Sequence, residues 1–210
     1  MDHVVELRHP LVQHHLGKLR DRETPSAEFR RLVRRLSILL AYEAAKDLGL
    51  DDITVQTPLA QTAGKALAQR IGLVPILRAG LGMVDPILEL IPDAEVWHLG
   101  FYRDEKTLRP VEYYKKLPHD SAVDVALVLD PMLATGGSAV AALEAVSGWG
   151  ARKVKLLSMI AAPEGVRTVQ QAFPETQVYV CAIDSHLNER GFIVPGLGDA
   201  GDRTFNARAV

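Results

Sequence analysis

The chain has 210 residues, 48% hydrophobic and 24% charged, a balance that suits a folded domain with a full core and excludes disordered and disulfide-scaffold classes. A formal net charge of -2 excludes a surface given over wholly to nucleic-acid phosphates, while leaving room for a local basic site. The start, Met1 to Arg8, lacks the basic and apolar stretches of a signal peptide, and no segment has bilayer-spanning length. The single cysteine, Cys181, permits no intrachain disulfide, so a cytoplasmic protein is expected.

No repeat or linker interrupts the sequence, and one domain over residues 1–210 is expected. Its parts are an N-terminal arm and helix over about 1–50, a core over about 51–185 and a C-terminal segment over about 186–210. His9, His14 and His15 cluster near the start, but without further ligands this spacing defines no metal site. Residues 26–48 carry Phe29, Leu32, Val33, Leu36, Leu39 and Leu40 at a period near 3.6, which predicts an amphipathic helix with Ser26 as its cap and Gly49 at its end. Arg30, Arg31, Arg34 and Arg35 form one basic face of that helix, read either as a solvated face or as an effector site.

From residue 71 the pattern changes to short apolar runs, each followed by a Gly- or Pro-containing turn and a helix-like segment. The runs Leu73–Leu77, Val123–Leu129, Val154–Ile160 and Val178–Ile183 suit strands covered on both faces. They predict an α/β fold with a central, mostly parallel sheet flanked by helices. Val96–Arg103 and Val111–Lys116 read as a hairpin around the polar stretch Asp104–Pro110, placed to act as a movable lid. Cys181, inside the last run, reads as a packed thiol.

Three turns carry the chemistry. Val125 to Ser138 reads as a buried strand entering the turn Asp130, Pro131, Met132, Leu133, Ala134, Thr135, Gly136, Gly137, Ser138, which opens a helix. Unpaired N–H groups at a helix start, two glycines and two hydroxyls make an anion site, and Asp130 can accept from sugar hydroxyls. Neither a Walker A loop nor a G-x-G-x-x-G fingerprint is present. Arg78, before Ala79-Gly80-Leu81-Gly82, can fork two N–H groups onto a phosphate. Gly191 to Arg203 is too Gly-rich for a helix or central strand and presents backbone at close range. Backbone N–H and C=O groups have fixed polarity, so such a loop can discriminate a ligand by its pattern of donors and acceptors.

The acidic residue ahead of Ala134-Thr135-Gly136-Gly137-Ser138 resembles the phosphoribosyl diphosphate loop of the type I phosphoribosyltransferases, and Asp130 to Ser138 is similar to the uracil-specific branch of that family. Arg78 to Met83 resembles the family's diphosphate loop, Phe101 to Leu108 its lid hairpin, and Gly191 to Arg203 its base-covering hood. The resemblance implies a type I phosphoribosyltransferase fold with a hairpin lid and a C-terminal hood. The implied reaction transfers the phosphoribosyl group of 5-phospho-α-D-ribose 1-diphosphate to uracil, giving UMP and diphosphate. Catalysis would then fall on Arg78, Arg103, Asp130 and Asp199.

Phosphoribosyl diphosphate would be held by Arg78, Arg103, Asp130 to Ser138 and Asp199, and uracil by Ile193, Gly198, Asp199 and Ala200. Because Leu129 stands where many members have a second acid, Mg²⁺ is expected on substrate oxygens and water, with no protein metal site. The resemblance also implies a homodimer or higher homo-oligomer and makes GTP a candidate allosteric activator, without assigning it residues. The alternatives are a regulator of the same fold that binds RNA of pyrimidine genes, which would show a basic face and lack a complete hood, and transfer to a purine base, which the same hood disfavours. No nucleic-acid or membrane partner is expected.

Overall fold

A computed structural model describes residues 3–103, 110–118 and 122–207. In chain order it contains β1 (Val4–Glu6), α1 (Pro10–Arg20), α2 (Ser26–Ala44), β2 (Leu50–Gln56), β3 (Gln61–Leu67), β4 (Ile71–Leu77), a 3-10 turn (Ala79–Met83), α3 (Val84–Leu90), β5 (Glu95–Val96), β6 (Leu99–Arg103) and β7 (Pro110–Lys115). There follow β8 (Val125–Leu129), β9 (Met132–Leu133), α4 (Gly137–Trp149), β10 (Lys153–Ala161), α5 (Pro163–Ala172), β11 (Gln177–Ile183), β12 (His186–Leu187), β13 (Ile193–Val194) and α6 (Ala200–Phe205).

The main sheet runs β1-β11-β10-β8-β4-β6-β7, with β5 against β4 and β9 against β10. Its ladders are parallel except for the β6–β7 hairpin. The continuous apolar runs become strands because both sheet faces are covered, so every residue of β8 is buried. One core cluster lies where α1, α2 and α3 pack, with Phe29, Leu36, Leu73 and Leu127 in it; the other, with Val74, Val128, Leu143 and Val169, lies under α4 and α5. Strand order reverses beside β4. β6 lies on one side, while β8, β10 and β11 follow on the other. The carboxyl ends of β4 and β8 thus flank the crevice in which α/β sheets bind ligands.

Helix α2 buries Phe29, Leu32, Val33, Leu36 and Leu40 as their spacing predicts. Its ends differ from the expectation. Pro25 is the N-cap, without a side-chain capping bond, while Ser26 is the first helical residue and its hydroxyl bonds Asn206 Oδ1 at 3.1 Å. The helix stops at Ala44, where the Lys46 N–H bonds Glu43 O, and Lys155, fully buried on β10, donates to the freed Ala44 carbonyl and to Asp47. Burial pulls the Lys155 ammonium down from its ordinary pKa against the pull of Asp47. The basic face is extensively paired: Arg30 donates to Thr204 O at 2.9 Å, Arg31 and Arg35 face Glu28, and Arg34 meets Glu89.

His9 caps α1, its Nδ1 accepting from the Leu11 N–H at 3.2 Å. The β2–β3 hairpin stands apart from the main sheet, with Leu50, Ile53, Val55, Leu59 and Leu67 exposed. Among the described residues, no helix is long and apolar enough to cross a membrane.

Candidate functional site

Strand β8 delivers Asp130 to the rim of the sheet, where the Asp130 N–H donates to Leu157 O at 3.2 Å. Pro131 is buried, and its carbonyl accepts from the Met159 and Ile160 N–H groups of β10, so it anchors the turn from beneath. Met132 and Leu133 continue as β9 against Ile160 and Ala161. The chain then closes around a cavity of about 50 Å³ lined by Asp130, Met132, Leu133, Ala134, Thr135, Gly136, Ser138 and Ala139. Gly136, at φ 86°, is the N-cap of α4, and no side chain caps the helix start at Gly137. The left-handed conformation is one glycine adopts freely, and the helix's first N–H groups lack intrahelical partners. Of the nine residues from Asp130 to Ser138, seven line this cavity, and Pro131 and Gly137 do not.

A buttress that the sequence did not disclose stands behind this loop. A Cβ on Gly165, in the first turn of α5, would fall 2.3 Å from Ala134 O and 2.8 Å from Leu133 O. A Cβ on Gly136 would meet Gly165 O and the Thr168 Cβ, each at 2.9 Å. The absence of side chains on both sides lets α5 press directly against the turn. The only sequence signal was the helix start Pro163-Glu164-Gly165. Glu164 extends the support, since its Oε1 accepts from the Leu187 N–H at 3.2 Å and so ties α5 to β12. Backbone bonding at Glu164 itself and that bond hold the Glu164 carboxyl below its ordinary pKa.

The Asp130 carboxyl is pushed up to about 6 because the turn desolvates it, against a lowering bond from the Met132 N–H at 3.2 Å. It is therefore largely ionised at pH 7 and can accept from hydroxyls or face a cation. Among the described residues, no group of three or more His, Cys, Asp or Glu is arranged to hold a metal ion.

Arg78 follows β4, with a cis peptide bond between Leu77 and Arg78. The register Pro75↔Leu129 places it beside the strand that ends at Asp130. Its side chain is 60% exposed and pairs with Asp202 Oδ1 at 3.2 Å. On the other flank of β4, the pairs Ile76↔Leu99 and Leu77↔Gly100 seat the β6–β7 hairpin. Arg103 ends β6, but its side chain and the lid residues 104–109 lie outside the described residues.

The C-terminal segment is more structured than its glycine content suggests. Ile193 and Val194 pair with His186 and Leu187 off the main sheet, and Ala200 opens the short helix α6. Ile193 and Ala200 are buried, whereas Gly198 and Asp199 are exposed. Asp199 is the N-cap of α6, its Oδ1 accepting from the Asp202 N–H at 2.8 Å. One carboxylate oxygen is therefore committed to holding the turn. Arg203 donates to Leu19 O at 2.9 Å and Leu197 O at 2.8 Å and lies over the Phe29 ring at 4.4 Å. The segment is thus sewn to α1 and α2. Asp202 and Arg203 had no assigned role in the sequence, because their partners are distant in the chain.

Comparison with known proteins is consistent along the chain. The family described as uracil phosphoribosyltransferase matches residues 5–207. A uracil phosphoribosyltransferase of Roseiflexus castenholzii is 60% identical over 98% of this chain and 99% of its own length, and one from Symbiobacterium thermophilum is 54% identical over 99% and 100%. A solved structure of a protein from Aquifex aeolicus superposes with a TM-score of 0.93 at 39% identity, covering 99% of each chain. A hypoxanthine-guanine phosphoribosyltransferase of Bacillus anthracis shares the fold at a TM-score of 0.51 and 10% identity, covering 76% of this chain and 80% of that one.

Proposed function

The chain belongs to the uracil phosphoribosyltransferase family, and we propose that its loops divide the transfer of a phosphoribosyl group to uracil among them. The products are UMP and diphosphate. Family membership supports this transferase and not the RNA-binding regulator. The observation that carries the division of labour is the cavity of about 50 Å³ at the end of β8, whose neighbour in the sheet is β4, the strand that leads to Arg78.

In this reading the 5′-phosphate sits against Thr135 to Ser138, where uncapped N–H groups at the start of α4 favour an anion. Asp130 accepts from the ribose hydroxyls. Uracil lies under Ile193 and Gly198 to Ala200, whose main chain offers fixed donors and acceptors. Uracil N1 attacks the anomeric carbon as the bond to diphosphate breaks, through an oxocarbenium-like transition state, and the N1 proton is released to solvent. Arg78 and Arg103 stabilise the charge on the departing diphosphate, so catalysis comes chiefly from positioning and electrostatics. Asp130 is the acidic residue that would face Mg²⁺, and the ion would supply further charge neutralisation when bound. A lone acid at Asp130 fits an ion that arrives with substrate better than one held by a protein cage.

Three wider properties are proposed alongside. A homodimer is supported by family membership and by the isolated β2–β3 hairpin with its exposed Leu50, Ile53 and Leu59, which suits pairing with a second copy. A cytoplasmic setting is proposed from the single cysteine, Cys181, which leaves the chain without an intrachain disulfide. Activation by GTP is proposed from family membership alone.

The test is diphosphate release from phosphoribosyl diphosphate and Mg²⁺ with each free base in turn. Turnover with uracil alone is expected. Its absence would overturn the reading.

A further inference from the structure

We propose that Arg20 and Asp184 are positioning residues for the base: together they grip both polar groups of Gly196 and thereby aim the main chain of Ile193 to Ala200 at uracil. This inference rests on the assignment of that segment to the base.

Arg20 is the last residue of α1, and Asp184 follows β11, its backbone N–H fixed on Ala161 O at 2.8 Å. Arg20 forks onto the carboxylate, Nη1 to Oδ2 at 2.8 Å and Nη2 to Oδ1 at 2.5 Å. The same Nη1 donates to the Gly196 carbonyl at 2.7 Å, and the same Oδ2 accepts from the Gly196 N–H at 2.9 Å. The three groups form a closed set of charge-assisted bonds around one residue. The Asp184 side chain is 4% exposed and that of Arg20 22%, so water competes little.

Gly196 is placed where this grip matters. A Cβ there would fall 2.2 Å from Ile193 O, so the backbones of Gly196 and Ile193 lie in close contact. The next carbonyl, Leu197 O, is held by Arg203. Residues assigned to uracil therefore flank a point whose donor and acceptor are both held by buried charges. A base read by main-chain groups is discriminated only if those groups are correctly aimed, and no side chain can rotate to correct an error. A buried ion pair is weak evidence for stability in itself, and its better use is to fix one conformation. Burial of this pair against a loop backbone suits that use.

The experiment is steady-state kinetics on the full-length protein, with wild type, Asp184→Asn and Arg20→Lys compared and the melting temperature of each recorded. Asp184→Asn keeps the shape but leaves Arg20 facing a neutral amide; Arg20→Lys keeps the charge but loses the fork. The expected result is a rise of about tenfold or more in the uracil KM for Asp184→Asn and a smaller rise for Arg20→Lys. The KM for phosphoribosyl diphosphate and kcat should each stay within about twofold. A purely structural staple would lower the melting temperature without this split. Uracil KM values within about twofold of wild type, or both KM values rising together, would overturn the inference alone. No uracil turnover by wild type would overturn the functional reading and the inference with it.

Discussion

Arg78 and Asp202 are joined by a 3.2 Å ion pair across 124 residues of sequence, so the loop proposed to hold diphosphate is linked to the helix that closes the hood. The Arg78 side chain is exposed, and such pairs contribute about 1 kcal/mol or less. Arg78 can therefore leave Asp202 for an incoming diphosphate at little cost. Asp202→Asn is expected to lower the KM for phosphoribosyl diphosphate by up to about fivefold, since a competitor for the guanidinium is removed. Arg78→Ala, in contrast, should lower kcat by about 10²–10³. Initial-rate kinetics separate the two, and an Arg78→Ala enzyme with unchanged kcat and only a raised uracil KM would contradict the role given to Arg78.

Asp130 gives the enzyme a pH dependence of definite sign. Its folded pKa, about 6, lies above the ordinary 3.8, so the folded state resists ionisation of this group. Stability contributed by the protonated form is therefore lost as pH rises from about 4 through about 6, and the penalty is constant above that. Asp130→Asn should raise the melting temperature at pH 8 and change it less at pH 4.5. The same substitution removes the acceptor proposed for the ribose hydroxyls, so kcat/KM for phosphoribosyl diphosphate should fall although the protein is no less stable. In wild type, kcat/KM should decline below about pH 6, and a profile flat from pH 5 to 8 would show that ionised Asp130 is not required.

Gly165 never approaches the substrate in the proposed arrangement, yet Gly165→Ala should damage it. The new Cβ would lie 2.3 Å from a backbone oxygen of the phosphate turn, and backbone cannot swing aside as a flexible side chain can. Overpacking of this kind costs about 1–3 kcal/mol. The KM for phosphoribosyl diphosphate should rise more than tenfold, with the uracil KM little changed. An unchanged KM for phosphoribosyl diphosphate would mean that α5 is not what shapes the turn.

The contrast between Ser138 and Gly165 shows what the sequence disclosed. Asp130 to Ser138 is one uninterrupted segment whose strand, turn and helix start all have local signatures, so its geometry was legible. The strands β4, β8, β10 and β11 were legible for the same reason, as continuous apolar runs. Gly165 matters only through contact with Ala134, and Arg20 only through Asp184, 164 residues away. Neither contact leaves a local trace. The partner of the carbonyl at the end of α2 is equally remote, since Lys155 from another strand takes Ala44 O. The β2–β3 hairpin carries only a short signal, Ile53 and Val55 alternating with Asp52, Thr54 and Gln56, and β2 is exposed throughout.

Gly198 lies at φ 79°, and a Cβ added there would meet only the Arg203 Cδ, at 3.6 Å, so its constraint is conformation and not space. That distinction yields a paired prediction. Valine resists the left-handed region, whereas asparagine enters it at modest cost. Gly198→Val should raise the uracil KM more than tenfold and spare the KM for phosphoribosyl diphosphate, while Gly198→Asn should keep most of the affinity despite its larger polar side chain. Kinetics with uracil and cytosine would measure both affinity and discrimination. Equal damage from the two substitutions would mean that bulk over the base matters more than the path of the main chain. Unaltered uracil kinetics in both would remove this loop from the base site, since a backbone reader cannot be bent at its centre and still read.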